Sequence, residues 1–454
     1  MSPRSLLTTS HFLLFLSLSL ALTIISSCKD DDIPTLGPCE ENPECTLDCL
    51  GNCEQAGGFT FLPAVVVPHE LSRLLTLQTP GQPLDIFAGH FNSDEQVDIL
   101  LNLRWADDNE VSILYGNEEG TFDSVGFNFQ YSTTAFEPEW HTFTAHTGDF
   151  DGDGIEDISW NLVTDGRNRT HTTLLLDDTY FPLSRLTITG GWGPYQAYHG
   201  DINGDERMDM VYNELNNNRT YLGLAVASGF INLRGPWDHP PLGSGPDNWG
   251  RYEMVLGNFY DDQRVEPYWV SSNELDLNVF SSHYDVTANN LAFSGLRRSY
   301  ITGIDNPELV VGDFTGDNID DILLLETDGS AKNIALISES RFSHRFTRQE
   351  LFFNRINQFE QQTTGDVNGD NRTDLILMDY QPNTQVGNLV FRVGLGHAED
   401  VLQIEPEYIQ HPDNIPFNKY TRTLVADLNK DGKDDLIWVR PELTQVHIHI
   451  ALAD

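Results

Sequence analysis

Positive charge is scarce in this chain. Its 454 residues include 26 Lys and Arg against 69 Asp and Glu, and the formal net charge is −43. Nucleic acids and anionic lipid surfaces attract basic proteins, because these partners carry dense negative charge. The composition therefore argues against a nucleic-acid partner and against direct binding to an anionic membrane surface.

The apolar stretch near the amino terminus lacks the length of a membrane span. It runs from Phe12 to Ile25 after a single basic residue, Arg4. A spanning helix needs about 20 apolar residues, whereas the apolar core of a secretory signal peptide is shorter. Residues 1–27 are therefore predicted to be a signal peptide, and the protein is predicted to be exported.

The residues after this stretch resemble a bacterial lipobox. Ser26 and Ser27 precede Cys28, which would become the lipidated amino terminus, and the segment from Lys29 to Asp32 resembles the acidic export tag of Bacteroidetes surface lipoproteins. The resemblance implies lipid anchoring at the outer membrane or cell surface, with a tether over residues 28–57. The alternative is an ordinary secretory signal that is cut at another small residue.

Cysteine is absent after Cys53. The four cysteines that follow Cys28 are Cys39, Cys45, Cys49 and Cys53. Outside the cytoplasm such a cluster favours two disulfides, for which three connectivities are possible. Zinc is the competing interpretation, but the cluster has no Cys-x-x-Cys spacing and no histidine.

Local catalytic motifs are missing too. The sequence contains no Gly-x-Ser-x-Gly, no His-Glu-x-x-His and no P-loop. Hydrolase, zinc protease and NTPase chemistry therefore have no local support.

What the chain does have is an acidic loop, GDFDGDGIED, from Gly148 to Asp157. Carboxylates at Asp149, Asp151, Asp153 and Asp157, with the backbone carbonyl of Ile155, form the oxygen-rich ligand set that Ca²⁺ prefers. An EF-hand would require a Glu at the twelfth position and flanking helices. The twelfth residue is Trp160 in a stretch of strand character, so the loop is predicted to join two strands.

The loop recurs along the chain. Four further copies keep the ligand spacing, with the seventh residue of each contributing a carbonyl: Asp201, Asn203, Asp205, Arg207 and Asp209; Asp313, Thr315, Asp317, Ile319 and Asp321; Asp366, Asn368, Asp370, Arg372 and Asp374; Asp427, Asn429, Asp431, Lys433 and Asp435. Five calcium sites are therefore predicted. Glu206 stands where other copies have Gly or Asn, which predicts a strained backbone.

Two further copies have lost ligands. The copy that begins at His90 retains Asn92, Asp94 and Asp98 and predicts a weak site. The copy from Asn258 to Glu266 has Tyr260 at the third position and predicts little or no calcium.

The seven copies begin at residues 90, 149, 201, 258, 313, 366 and 427, at intervals of 52 to 61 residues. Each unit contains three or four short strands and no convincing amphipathic helix, which is typical of a β-propeller blade. The last unit ends without an outer strand, whereas the stretch from Gly57 to Val67 has strand character. An all-β, seven-bladed propeller closed by the amino-terminal strand is therefore predicted over residues 58–454.

These repeats resemble the FG-GAP or VCBS repeat propellers, which include the head of integrin α-subunits. The resemblance covers Gly58 to Asp454. It implies that the calcium loops connect the first and second strands of each blade on one face. It also implies that ligands bind the opposite face.

Aromatic and polar residues precede several first strands and are candidates for contacting a ligand: Trp140, His141, Trp192, Tyr195, Trp249, Arg251 and Tyr252. Aromatic faces beside polar groups suit sugar rings or a protein partner. The alternative is that these aromatics pack between blades.

Two functions follow from these patterns. The first is a non-catalytic, calcium-stabilised surface module that binds a glycan or protein as a monomer. The alternative is a polysaccharide lyase or a related carbohydrate-active enzyme on a propeller scaffold, for which His141, Tyr195, Arg251 and Tyr252 could form the catalytic set.

Overall fold

The computed structural model describes residues 59–67, 84–104, 108–132, 143–164, 167–176, 179–189, 192, 195–214, 217–241, 249–260, 262–272, 277–294, 304, 307–326, 333–339, 346–351, 359, 361–381, 388–404, 409–410, 421–441 and 446–453. All of these residues lie in one compact unit, Ala56–Asp454. The predicted signal peptide, Cys28, the four other cysteines, Trp140 and His141 lie outside the described residues.

The described residues form strands and one short 3₁₀ helix, Trp249–Arg251. The strands are β1 (Phe59–Phe61), β2 (Val65–Val67), β3 (Leu84–Gly89), β4 (Asp98–Arg104), β5 (Asp108–Gly116), β6 (Phe122–Ser132), β7 (Phe143–Gly148), β8 (Asp157–Thr164), β9 (Arg167–Leu176), β10 (Thr179–Thr189), β11 (Tyr195–Gly200), β12 (Asp209–Glu214), β13 (Arg219–Ala225), β14 (Ile231–Asp238), β15 (Glu253–Gly257), β16 (Glu266–Ser272), β17 (Leu277–Asp285), β18 (Asn290–Ser294), β19 (Glu308–Gly312), β20 (Asp321–Leu325), β21 (Asn333–Ser338), β22 (Phe346–Leu351), β23 (Gln361–Gly365), β24 (Asp374–Gln381), β25 (Asn388–His397), β26 (Val401–Ile404), β27 (Ile409–Gln410), β28 (Arg422–Ala426), β29 (Asp435–Pro441) and β30 (Val446–Ala453).

Within the described part of the chain, these strands make seven antiparallel sheets, which are the blades of a seven-bladed β-propeller. In six blades the strand order follows the chain, as in β3-β4-β5-β6, with β27 added beside β25 in the sixth. The predicted fold class is confirmed. No helix among the described residues is long and apolar enough to cross a membrane.

The seventh blade is completed by the amino-terminal strands. Its order is β28-β29-β30-β1, with Phe59 opposite Ala453, and β2 also pairs with β30. This pairing confirms the predicted closure. It also covers the edge of β30, which would otherwise be open to another chain.

The second strand of each blade is a run of buried residues, as in β20, where all five side chains are buried. Such a strand needs apolar residues on both faces, because each face of a blade packs against a neighbouring blade. Seven buried hydrophobic clusters appear among the described residues, and the second residue of each loop lies in one of them. Leu428 of the last loop packs with Ile99 and Leu114 of the first blade, so the ring is closed by a hydrophobic interface as well.

Candidate functional site

All seven acidic loops connect the first strand of a blade to its second strand. In the second blade, Gly148 at the end of β7 pairs with Asp157 at the start of β8, so the loop between them is a hairpin connection. The same pairing closes the loops of the other six blades. The loops therefore lie at equivalent ends of the seven blades.

Asp149 organises the loop of the second blade. Its Oδ1 accepts hydrogen bonds from the backbone N–H groups of Gly152 (2.6 Å) and Asp153 (3.2 Å), and its Oδ2 accepts one from Gly154 (2.9 Å). The N–H of Ile155 donates to Asp153 at 2.9 Å. These bonds wrap the backbone around the carboxylates, so that oxygens of Asp149, Asp151 and Asp153 lie within 4.8 Å of one another.

Four other loops repeat this hydrogen bonding. In each, the first aspartate accepts bonds from the N–H groups of the fifth and sixth loop residues; these aspartates are Asp201, Asp313, Asp366 and Asp427. The sixth residue has a left-handed backbone, with φ of 66° at Glu206 and 65° at Asn318. Glu206 thus adopts the conformation for which strain was predicted.

The donor set of these loops suits a hard cation. Besides the three convergent carboxylates of the second blade, the fifth blade holds two buried oxygens without a hydrogen-bond partner, Thr315 Oγ1 and Asp321 Oδ2. Buried polar atoms normally have a partner, so unpaired oxygens in an acidic loop point to an ion. The residues therefore fit calcium, which prefers oxygen ligands.

The ninth loop residue, counted from the first ligand position, is a predicted calcium ligand and also makes hydrogen bonds that the sequence did not reveal. Asp157 is fully buried; its Oδ2 accepts a bond from the N–H of Phe150 (3.0 Å) and its Oδ1 accepts one from the N–H of Leu175 on β9 (2.9 Å). The same two bonds are made by Asp98, Asp209, Asp374 and Asp435, and Asp321 makes the bond to the third strand. This residue ties the hairpin to the third strand of its blade.

Burial raises the pKa of these carboxyl groups, and the other loop carboxylates add to the effect. The pKa is about 8 at Asp157 and Asp209, about 7 at Asp321 and Asp374, and about 6 at Asp98 and Asp435. A raised pKa means that the ionised form is costly to bury. A nearby counter-charge would therefore be needed to keep these groups ionised at neutral pH.

Hydrogen bonds connect the loops to one another in sequence. The N–H of the eighth residue donates to the carbonyl of the first residue in the preceding loop, as from Met208 to Asp149 (2.8 Å). Five more such bonds continue the series, from Glu156 to His90, Val265 to Asp201, Asp320 to Asn258, Thr373 to Asp313 and Asp434 to Asp366. Lys430 Nζ in the last loop lies 3.7 Å from Glu95 Oε2 in the first loop. The loops form one continuous ring.

A glycine precedes six of the seven loops and makes room for this contact, whereas Ala426 precedes the last loop. A Cβ atom on Gly312 would lie 2.5 Å from the side chain of Thr373 in the next loop. Real Cβ atoms do not approach so closely, so Gly312 is required for the close approach of the neighbouring blade.

The two loops that have lost ligands keep the frame with fewer charges. In the first blade, Asn92 Oδ1 accepts the N–H of Asp94 (2.8 Å), but the ring of His90 contacts the carbonyl of Gln96 (2.9 Å). In the fourth blade, Glu266 Oε2 accepts the N–H of Phe259 (3.1 Å), and burial raises the pKa of Glu266 to about 7.

Four of the predicted ligand contacts are packing residues. Trp192 (8% exposed) packs against Tyr221, and Tyr195 (2%) donates its hydroxyl to the carbonyl of Leu162 at 2.7 Å. Trp249 and Tyr252, each 5% exposed, pack against Phe280. These aromatics fill the space between blades, so of the described candidates only Arg251, which is exposed, remains open to a ligand.

A ring of polar residues lies on the other face and was missed by sequence reasoning. Five residues before each loop, the first strand carries Asp85, Thr144, Gln196, Glu253, Glu308, Gln361 or Arg422. Because a strand rises about 3.3 Å per residue, this polar ring is roughly 16 Å from the loop ring. Thr144, Gln196 and Glu253 are exposed. Partial desolvation and the nearby Glu308 carboxylate raise the pKa of Glu253.

Comparison with known proteins relates the repeats to one family and the fold to several proteins. Residues 76–160 match the model of the FG-GAP-like repeat. No curated protein is similar enough to count as a relative.

Among solved structures, a lectin from Agrocybe aegerita that recognises non-reducing terminal N-acetylglucosamine has a TM-score of 0.51 at 12% identity, over 72% of this chain and 80% of the lectin. The core factor of S. cerevisiae has a TM-score of 0.48 at 11% identity, over 89% of this chain and 63% of that chain. The rhamnogalacturonan lyase YesW has a TM-score of 0.36 at 14% identity, over 87% and 90% of the two chains. At these identities the similarity concerns the fold alone, and the two lower TM-scores add nothing to it.

Proposed function

Because this chain belongs to the FG-GAP repeat β-propellers, we propose that it is a non-catalytic binding module whose ligand, a glycan or a protein, docks on the polar ring. The observation that carries this proposal is the placement of seven polar side chains at one position of the seven first strands, on the face opposite the loop ring. Thr144, Gln196 and Glu253 are exposed on this face and offer hydrogen-bonding groups to a ligand. Asp85, Glu308 and Gln361 are partly buried and form hydrogen bonds within the propeller.

The loops serve this module as structural calcium sites. Asp149, Asp151, Asp153 and Asp157 with the Ile155 carbonyl would hold one ion, and the loops that begin at Asp201, Asp313, Asp366 and Asp427 would hold four more. When bound, calcium offsets the mutual repulsion of the loop carboxylates. The loop residues do no chemistry in this proposal; they fix each hairpin and hold it to its neighbours.

The composition of the polar ring favours a neutral, hydroxyl-rich ligand, and a glycan is the first candidate. Amide, hydroxyl and carboxylate groups at Gln196, Thr144 and Glu253 suit hydrogen bonding to sugar hydroxyls. A lectin with the same fold recognises a terminal sugar, so this scaffold is able to present a glycan site.

A lyase is less well supported. Its substrates are acidic polymers, whereas Asp85, Glu253 and Glu308 place three acidic groups in the ring against one basic group, Arg422. Of the residues proposed for such chemistry, Tyr195 and Tyr252 are buried, and burial raises the pKa of Tyr195 well above its usual range. A hydroxyl held in this way is unsuited to act as a base. Absorbance of unsaturated products from uronate polymers tests for this activity directly.

Binding to a glycan array by the whole protein in Ca²⁺ tests the proposed function. Gln196→Ala and Glu253→Gln should each weaken retention of the ligand by at least several-fold, since both side chains are exposed in the polar ring. Glu118→Gln, which alters an exposed turn residue outside the ring, is the matched control and should bind like the wild type. Equal retention of all four proteins would contradict the placement of the site.

We also propose that the module is displayed at the cell surface as a monomer, anchored through a lipid on Cys28. The tether, residues 28–57, would be cross-linked by two disulfides among Cys39, Cys45, Cys49 and Cys53. Cys28→Ala should release the protein from the membrane fraction, and mass spectrometry without reduction should find no free thiol among the other four cysteines. Membrane retention of Cys28→Ala would contradict the anchor.

A further inference from the structure

The fourth blade departs from the other six at linked positions. Its loop has Asn258 and Tyr260 in place of the first and third ligands, and Glu266 at the ninth position where the other six loops have Asp. The antiparallel register of β16 and β17, continued from the pair Tyr268 and Ser281, places His283 opposite Glu266. The residues opposite the ninth position in the other blades are Tyr115, Leu174, Leu224, Ile337, Leu395 and Leu452. A nitrogen ligand opposite the ninth position thus appears in a blade that has lost its first and third calcium ligands.

We propose that Asp262, Glu266 and His283 form a site for a transition-metal dication, with Zn²⁺ as the expected ion. One ligand atom from each of the three side chains lies within 4.8 Å of the other two. An imidazole nitrogen with two carboxylates suits zinc, whereas calcium prefers oxygen ligands alone. This site is independent of the proposed ligand-binding function.

The proposal depends mainly on the buried carboxylate of Glu266, which has one oxygen without a hydrogen-bond partner. Its side chain is 2% exposed, and its Oε2 accepts the N–H of Phe259. Its Oε1 has no hydrogen-bond partner, although the equivalent oxygen of the six aspartates accepts a backbone N–H from the third strand. A buried carboxylate oxygen without a partner is costly, so Glu266 Oε1 is aimed at something other than the backbone.

His283 supplies the matching atom. Its Nδ1 also lacks a hydrogen-bond partner and lies 3.6 Å from Glu266 Oε1. Two atoms that bind one zinc ion at about 2.1 Å in a tetrahedral arrangement are roughly 3.4 Å apart. The observed separation is therefore too long for a hydrogen bond and close to the separation that a shared ion would impose.

The surroundings allow an ion to enter. The side chains of His283 and Asp262 are 31% and 32% exposed, so water can reach the site and complete the coordination. Arg264 binds the Asp262 carboxylate and donates to the carbonyl of Tyr284 at 3.3 Å. Arg264 also lies 3.4 Å from His283 Nε2. This contact would be lost when His283 Nδ1 binds a metal ion, because Nε2 then carries the proton and cannot accept a hydrogen bond from Arg264.

Zinc stoichiometry tests this site. The whole protein is stripped of metal, dialysed against excess Ca²⁺ to fill the other loops, and then dialysed against Zn²⁺ before elemental analysis. The wild type should retain one more zinc ion per chain than His283→Leu, which introduces the residue found in four of the other six blades. His397→Leu removes a comparable histidine–carboxylate pair, 3.7 Å from Asp400, and should retain as much zinc as the wild type.

A second variant and a measurement on the wild type distinguish loss of the zinc site from misfolding of the variant. Glu266→Asp restores the residue of the other six loops and should also lose the additional ion, with an unfolding midpoint in Ca²⁺ alone close to that of the wild type. In the wild type, Zn²⁺ should slow chemical modification of His283 at least several-fold. Equal zinc binding by the wild type and His283→Leu would overturn the proposal and show that His283 and Glu266 form an ion pair without metal.

Discussion

Asp366 and Asp434 hold two consecutive loops together through a reciprocal pair of hydrogen bonds. The N–H of Asp434 donates to the carbonyl of Asp366 at 2.7 Å, and the N–H of Asp366 donates to the Asp434 carboxylate at 2.8 Å. Asn258 and Asp320 repeat the arrangement between the fourth and fifth blades, at 2.9 and 2.6 Å. Neighbouring blades are thus joined through backbone groups of the loops that carry the candidate calcium ligands.

Replacing Asp434 by Ala should destabilise the propeller by about 1 to 2 kcal/mol, because the N–H of Asp366 loses its acceptor in a partly buried position. Asp434→Asn keeps an oxygen in that place and should cost less. Denaturant unfolding measures both changes. Equal stability of Asp434→Ala and the wild type would show that the inter-loop bond contributes nothing.

Asp209 and Asp205 illustrate two roles of the loop aspartates, which are hydrogen bonding to buried backbone N–H groups and binding of calcium. Asp209 is fully buried and accepts two backbone hydrogen bonds, from Ala225 (2.7 Å) and Ile202 (3.2 Å). Asp209→Ala should therefore destabilise the protein by about 2 to 4 kcal/mol with or without calcium, since it leaves buried N–H groups unpaired.

Asp205→Ala should instead reduce only the extra stability that calcium confers, because Asp205 is a predicted ligand and less buried. Thermal unfolding of both variants in Ca²⁺ and in EDTA makes the comparison. The assignment of roles fails if the two variants lose equal stability in EDTA, where the buried backbone hydrogen bonds of Asp209 distinguish them.

His239 makes stability depend on pH. It is buried against Trp249 and Trp269, and burial lowers the pKa of its imidazole to about 4. In the unfolded chain the pKa is about 6.5, so the unfolded state binds more protons between pH 6.5 and 4. The stability contributed by neutral His239 is therefore complete above pH 6.5 and is lost as the pH falls through 4.

The loss amounts to roughly 3 kcal/mol over that range. The hydroxyl Oγ1 of Thr220 lies 2.8 Å from His239 Nε2, and His239→Gln keeps a polar partner for this hydroxyl. This variant should show a shallower decline in unfolding free energy on acidification than the wild type. Parallel pH profiles would contradict the burial of a neutral imidazole.

Glu206 offers a stabilising substitution. Its φ of 66° is in the left-handed region, which costs an L-residue energy and suits glycine. Glu206→Gly should raise the unfolding free energy by up to about 1 kcal/mol, while Glu118→Gly, at a position without positive φ, should not. A loss of stability in Glu206→Gly would show that the Glu206 side chain makes a contribution of its own.

The fold could be predicted because its signals are local and repeated. Alternating Asp and Gly define each loop within ten residues, as at Asp149 to Asp157, and the repeat interval gives the number of blades. Closure could be predicted because the stretch before Val67 has strand character and the last blade ends without an outer strand.

The rest depends on distances across strands that the sequence does not display. Asp157 meets Leu175 only through the register of β8 and β9, and Glu266 meets His283 in the same way between β16 and β17. Trp192 sits among glycines in the sequence and resembles an exposed loop residue, yet it is buried against Tyr221. The polar ring was visible as a polar residue five positions before each loop, but each member alone resembles an ordinary strand end.

Thermal unfolding of the whole protein in Ca²⁺, in Mg²⁺ and in EDTA tests the central claim that the loop ring binds calcium. An ion that binds only the folded state adds about 2.7 kcal/mol per independent site at a concentration 100 times its Kd. The midpoint should therefore rise by many degrees in Ca²⁺ relative to EDTA, and much less in Mg²⁺. Identical midpoints in all three solutions would contradict the claim.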